Sequence, residues 1–247
     1  MKKRITIICI VLFIFIIMLS NFVSRDLNGI EVAMIGDSIM AGYGNENNSF
    51  EVYFSKIMPE STMSNYAVPS STLSTNTGND GIVISNQVDL IKGYPELIIM
   101  DGGANDIISY AMTMRDKSLR KEIGSLDENG NIQDGTVLKD FENTILKIRE
   151  KYPDARICYV QMFLIDEDTI DKVTIDAAAK AEIIERRDLL WDGIKKVCEK
   201  NGVFFVDISD KFVGTELKYR QEDWIHISDV GYQYITPYLI EELDKIY

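Results

Sequence analysis

The chain has 247 residues, 46% of them hydrophobic, and a formal net charge of -13. This composition excludes a disordered chain and is sufficient for a domain with a sizeable core. The acidic balance argues against nucleic acid and anionic membrane surfaces as partners, and against strongly anionic substrates.

The first 25 residues stand apart. Lys2, Lys3 and Arg4 precede an uncharged apolar run over residues 5–19, which Phe22 and Val23 extend. Setting aside Lys2, Lys3, Arg4 and Arg25 takes the net charge from -13 to -17 for residues 26–247. A basic flank before an apolar run is the pattern of an export signal. No good small-x-small cleavage site follows, because Met18 and Phe22 are large at the positions that matter for Ser20 and Ser24. The expectation is an uncleaved signal-anchor over residues 5–23, with a cleaved signal peptide as the alternative. Either places one domain, residues 26–247, outside the cytoplasm, membrane-anchored or secreted.

Strand-like and helix-like stretches then alternate. Residues 30–35 predict a first strand and 50–58 a short helix stopped by Pro59. A second strand follows at 62–67, a helix at 82–91, and a third strand at 97–100 ending at Asp101-Gly102-Gly103. Residues 107–135 form an insertion, in which Asn129-Gly130 predicts a tight hairpin turn. Its run from Asp127 resembles a calcium loop only superficially, since Ile132 replaces the required Gly and Leu138 the closing Glu. Residues 138–151 have helical periodicity, with Leu138, Phe141, Ile145 and Ile148 on one face. A fourth strand is expected at 155–162, and a long helix at 175–201 closed by Asn201-Gly202. The fifth strand is 203–208. Ser228 caps a final helix that Pro237 should kink. Cys9 lies in the apolar segment. Cys158 and Cys198 are expected as buried thiols in a strand and a helix, though they could pair in an oxidising compartment.

This alternation predicts an α/β fold with a mostly parallel five-stranded sheet covered on both faces. Ligands in such folds bind beyond the C-terminal ends of the strands. Gly36-Asp37-Ser38, Pro69-Ser70-Ser71, Gly103-Ala104-Asn105-Asp106 and Gln161-Met162 all fall there. Asp223 and His226 lie in the loop after the fifth strand.

His226 is the only histidine. A multi-His metal site is therefore impossible, and any imidazole chemistry passes through this residue. Ser38 ends an apolar run at a strand-to-loop corner, where a hydroxyl faces solvent but needs a base to become a nucleophile. His226 can be that base, and Asp223, three residues earlier, can fix its tautomer. Acyl transfer also needs donors for a developing oxyanion. The Ser38 backbone N–H, the Asn105 side-chain amide and a donor from residues 65–72 are the candidates. Taken singly, Ser38 reads better as a helix cap, His226 as a structural contact and Asn105 as a turn residue. Taken together they do not.

Gly36-Asp37-Ser38, the 65–72 loop, Gly103-Ala104-Asn105-Asp106 and Asp223-Trp224-Ile225-His226 resemble the four ordered blocks of SGNH hydrolases, also called GDSL-like esterases. The resemblance spans about residues 30–245. It implies a flavodoxin-like three-layer α/β/α sandwich. It also implies a nucleophile Ser38, a base His226, an orienting Asp223, and an oxyanion hole of the Ser38 N–H, Ser70 and Asn105. Two positions depart from the pattern. Ser70 stands where the second block usually has Gly, and Ile39 follows Ser38 in place of Leu. A Gly-dependent backbone angle at Ser70 would be difficult to meet. No Gly-x-Ser-x-Gly elbow surrounds Ser38, which disfavours the α/β-hydrolase fold.

The expectation is a serine esterase with no metal or organic cofactor, acting on a glycan or lipid ester, O-acetylated glycans and acyl lipids foremost. An O-acyltransferase using the same triad is the nearest alternative, and a non-catalytic glycan-binding module a further one. Met112, Met114, Met162 and Phe163 could line an apolar acyl pocket or equally belong to the core.

Overall fold

The computed structural model describes residues 27, 29–45, 49–75, 82–107, 121–162, 169–171, 176–212 and 217–246. Five strands form one sheet in the order β2-β1-β3-β4-β5: β1 Glu31–Ile35, β2 Thr62–Asn65, β3 Leu97–Met100, β4 Arg156–Gln161 and β5 Phe204–Asp207. Every pairing is parallel. The six helices referred to below are α1 Ser38–Ala41, α2 Phe50–Ile57, α3 Ile84–Gln87, α4 Val137–Lys151, α5 Ala177–Asn201 and α6 Asp229–Asp244.

Successive strand residues point to opposite faces, and each face has its own core. Val32 and Met34 of β1, Leu97 and Ile99 of β3, and Cys158 and Val160 of β4 pack with Phe50 and Phe54 of α2 and Ile235 and Leu239 of α6. Ala33, Ile35, Ile98, Met100, Ile157 and Tyr159 pack on the other face with Leu138, Phe141, Ile145 and Ile148 of α4 and Leu190 and Ile194 of α5. Both sides of the central strands are thus apolar, which is why the sequence reads there as continuous hydrophobic runs. The result is the expected α/β architecture with helices on both faces.

The predicted helix over 82–91 is much shorter, reduced to α3. Thr72 forms a parallel bridge with Val83, and the Thr72 and Ile84 N–H groups bond the Ile82 and Thr72 carbonyls across it. The bridge holds Val83 extended, so the helix begins only at Ile84. The hairpin at Asn129-Gly130 is present: Leu126 bridges Ile132 antiparallel, and Gly130 takes a left-handed conformation. α6 continues through Pro237 as one helix. The carbonyl that Pro237 leaves unpaired belongs to exposed Gln233, where water can bond it. Cys158 and Cys198 are free and buried, and burial pushes both thiols well up. The signal-anchor segment lies outside the described residues. Among the described residues no helix is long and apolar enough to cross a membrane.

Candidate active site

Ser38 is the first residue of α1, immediately beyond β1, and its position is fixed from several directions. The buried Gln87 side chain holds both backbone groups of Gly36: its Oε1 accepts the Gly36 N–H at 2.7 Å and its Nε2 donates to the Gly36 carbonyl at 2.8 Å. Gly36 is required by close approach, since a Cβ there would stand 1.6 Å from Asp101 Oδ1. The Asp37 N–H donates to the same Asp101 oxygen at 3.0 Å. The Asp37 side chain in turn caps α1 by accepting the Ile39 N–H at 2.9 Å. Tyr232 donates its hydroxyl to the Ile39 carbonyl at 2.6 Å, and Asn65 its amide to the Met40 carbonyl at 2.9 Å. The Ser38 N–H belongs to the helix's first turn, where no helical carbonyl can accept it.

The loop carrying Asp223 and His226 is closed by an antiparallel bridge between Arg220 and Ile227. Gln221 donates its N–H to the His226 carbonyl at 2.8 Å. Asp223 Oδ1 accepts the N–H groups of Ile225 and His226, both at 3.0 Å, and so sets the turn. Trp224 sits in the left-handed region at φ 66°, and its carbonyl receives Arg220 and Thr169. The loop is pinned to the Ser38 side by Asn45, which donates to the Ile227 carbonyl at 2.6 Å, and by Gln221, which donates to the Tyr43 carbonyl at 2.7 Å.

These two supports bring three predicted side chains into line. Asp223 Oδ2 lies 2.6 Å from His226 Nδ1, and His226 Nε2 lies 2.9 Å from Ser38 Oγ. Partial burial pushes the Asp223 carboxyl up, but the imidazole and the two backbone N–H groups outweigh it and hold the carboxyl below its ordinary value. An ionised Asp223 can only accept, so Nδ1 carries the proton and Nε2 presents its lone pair to the Ser38 hydroxyl. The arrangement can remove the hydroxyl proton as Ser38 attacks an electrophile and can stabilise the imidazolium that results.

Ser38, Tyr43, Ser70, Asn105, Ile225 and His226 line one cavity of about 250 Å³. Ser70 is in the left-handed region, at φ 66°. The backbone angle that the sequence made doubtful is therefore adopted by a serine, at a cost of about 1–2 kcal/mol relative to glycine. Asn105 Nδ2 donates to the Ser71 carbonyl at 2.9 Å, which ties the third block to the second and leaves the other amide hydrogen for a ligand. Asp106 completes the tie by accepting the Leu73 and Ser74 N–H groups at 2.9 and 3.0 Å, together with the Ser74 hydroxyl. The three residues predicted to supply oxyanion donors thus line one cavity. Met162 does not: it is buried in the core with Val160 and Ile208. Met112, Met114 and Phe163 lie outside the described residues.

Sequence reasoning missed Gln87, Tyr43 and Asp101. Tyr43 places its ring centroid 4.8 Å from that of His226. Asp101 follows the third strand directly, so its place on the ligand-binding edge was readable, but its contact with Asp37 depends on strand pairing. Gln87 carried no signal, because it sits on a helical turn with no motif around it.

The sequence profile of the GDSL-like lipase/acylhydrolase family matches residues 34–234. No curated protein matches the chain. Among solved structures, a Lactobacillus plantarum protein superposes with a TM-score of 0.66 at 16% identity, covering 90% of this chain and 99% of its own. A catalytic mutant of Axe2, an acetylxylan esterase from Geobacillus stearothermophilus, superposes at 0.56 with 15% identity, over 87% of this chain and 94% of that one. The psychrotrophic esterase EstA of a Pseudoalteromonas species, inhibited by monoethylphosphonate, does so at 0.55 with 11% identity, over 87% and 97%. At these identities the superpositions establish the fold. With four sequence blocks meeting at one cavity and the family profile spanning most of the chain, the protein belongs to the GDSL-like lipase/acylhydrolase family and is a serine hydrolase acting on esters.

Proposed function

We propose that the protein hydrolyses short-chain carboxylic esters, O-acetyl groups on glycans foremost, through an acyl-enzyme on Ser38. The observation that carries this reading is the unbroken relay from Asp223 to His226 to Ser38, at 2.6 and 2.9 Å, opening on a cavity of about 250 Å³. His226 takes the Ser38 proton as Oγ attacks the ester carbonyl and returns it to the departing alcohol. Water activated by the same imidazole then releases the acid. The Ser38 N–H, the Ser70 N–H and the Asn105 amide receive the oxyanion. The cavity is smaller than the roughly 300–1,000 Å³ of drug-sized ligand pockets, which suits an acetyl group better than a long acyl chain. The acetylxylan esterase among the structural neighbours supports a glycan leaving group. The basic flank and apolar run of residues 2–23 support a domain held outside the cytoplasm at a membrane.

The test is a chain-length series of p-nitrophenyl esters on the purified protein beside Ser38→Ala. The reading expects acetate to be the best substrate and the substitution to lower kcat at least about 10³-fold. Equal turnover by Ser38→Ala would remove Ser38 as nucleophile, and a preference for long acyl chains would remove the acetyl assignment.

A further inference from the structure

A second cavity, of about 370 Å³, lies at the β4–β5 margin of the sheet and shares no lining residue with the catalytic one. Gln161 and Asp207, the paired last residues of β4 and β5, line it from the sheet. Trp191, Asp192 and Lys195 of α5 line it from the helix, and Phe205 completes it. Gln161 is 2% exposed, and among the described residues neither its side-chain Oε1 nor its Nε2 has a hydrogen-bond partner. Its backbone carbonyl is used normally, by the Ile208 N–H at 3.2 Å. A buried amide with both ends unmet costs about 1–3 kcal/mol per group. Leucine would fill the same space without that cost.

The lining selects a class of ligand. Asp192 is held by Lys196 at 2.6 Å, and Asp207 Oδ1 accepts the Ser209 hydroxyl at 2.6 Å, so two oriented carboxylates stand at the rim and repel an anion. Lys195 beside them opposes a cation. Four of the six lining side chains are polar, which disfavours an acyl chain. Trp191 and Phe205 offer apolar ring surface, and each is held by a further side chain. The Arg187 guanidinium lies 4.9 Å from the Trp191 ring, and Tyr159 stacks on Phe205 at 5.9 Å. A neutral polyol ring meets every one of these conditions. Its C–H face would pack on the aromatic rings, and a hydroxyl seated against Gln161 would donate to Oε1 and accept from Nε2.

We propose that this cavity is an accessory saccharide-binding site, with Gln161 as its buried reader and Trp191 as its platform. It rests on the ester-hydrolase reading only in that it makes a neutral glycan, not a lipid, the carrier of the ester. The cavity adds a second hold on such a polymer, away from the triad.

The chain has two tryptophans, Trp191 in this cavity and Trp224 in the His226 loop. Trp224→Phe therefore leaves Trp191 as the sole reporter. The probes are xylotetraose and tetra-N-acetylchitotetraose, neither of which carries an O-ester, so binding is read without turnover. The proposal expects a saturable change in Trp191 emission with at least one probe, weakened tenfold or more by adding Gln161→Leu. It also expects Gln161→Leu to melt higher than its parent without sugar, and sugar to raise the Tm of the parent alone. No emission change with either probe, or equal binding by the Gln161→Leu protein, overturns the site. Absence of esterase activity on p-nitrophenyl acetate in the unsubstituted protein would instead count against the catalytic reading and leaves this measurement intact.

Discussion

Asp37 stands in an environment that its neighbours in the sequence do not suggest. Burial pushes its carboxyl from 3.8 up to about 6; the Ile39 N–H and His226 oppose that rise and Asp106 adds to it. Asp101, buried against Asp37, is raised well above its ordinary value by burial and then by the Asp37 charge. Tyr159 and Tyr232 face the same pair. A raised carboxyl binds its proton more tightly folded than unfolded. Its contribution is complete below 3.8 and is lost as the pH climbs to about 6. Asp37→Asn cannot ionise yet can still cap Ile39. Its stability relative to the parent should therefore grow between about pH 4 and about pH 7, measured as urea midpoints, and a constant difference would contradict the burial argument. At Asp223 the expectation is kinetic. Asp223→Asn can donate to Nδ1 and stabilise the wrong tautomer, so kcat should fall by about 10²–10⁴ with KM little changed. The convergence of Ser38, Asp223, His226 and Asn105 was legible because it follows from residue type and chain order in a parallel sheet. Asp101 and Gln87 were not, since their roles come from hydrogen bonds across 64 and 51 residues.

Secondary-structure elements follow the same division. α4 and α5 were readable from period and from their stop signals: Leu138, Phe141, Ile145 and Ile148 are fully buried, and Gly202 closes α5 in a left-handed conformation. The 82–91 segment has helical residues too, but a bridge to Thr72 claims its first residues, and such a tertiary contact leaves no local trace. At α6 an element meets the site directly. Its N-cap Ser228 accepts the Gly231 N–H, and Gly231 packs against the Tyr219 carbonyl, where a Cβ would approach to 2.2 Å. Alanine is the better helix former by about 1 kcal/mol, so propensity alone predicts stabilisation by Gly231→Ala. Packing predicts the reverse, because the obstructing atom is backbone. We expect a net loss of roughly 1–3 kcal/mol in chemical denaturation, with kcat on p-nitrophenyl acetate falling as the Tyr219–Ser228 contact shifts the His226 loop. A stabilised variant would show that this contact yields freely.

The whole molecule explains why distant blocks converge. With every strand parallel, the segments after β1, β2 and β3 and the loop after β5 emerge at one edge, and the cavity at Ser38 opens there. The chain enters β1 from the opposite edge. Under the proposal that residues 5–23 hold the protein in a membrane, a cavity at the edge opposite this entry is expected to take soluble or wall-borne esters. Full-length protein in vesicles should then hydrolyse a soluble acetate ester as fast as a version starting at residue 27. A membrane-bound form that turns over only lipid esters would reverse the orientation. Attack by Ser38 on an ester carbonyl, with His226 as base, is tested by trapping the nucleophile. The protein is treated with an ethyl fluorophosphonate and digested, and the modified peptide is located by mass spectrometry. One adduct is expected, on Ser38, forming at least tenfold more slowly in His226→Ala. An adduct on any other residue, or labelling of Ser38 at an unchanged rate without His226, would contradict it.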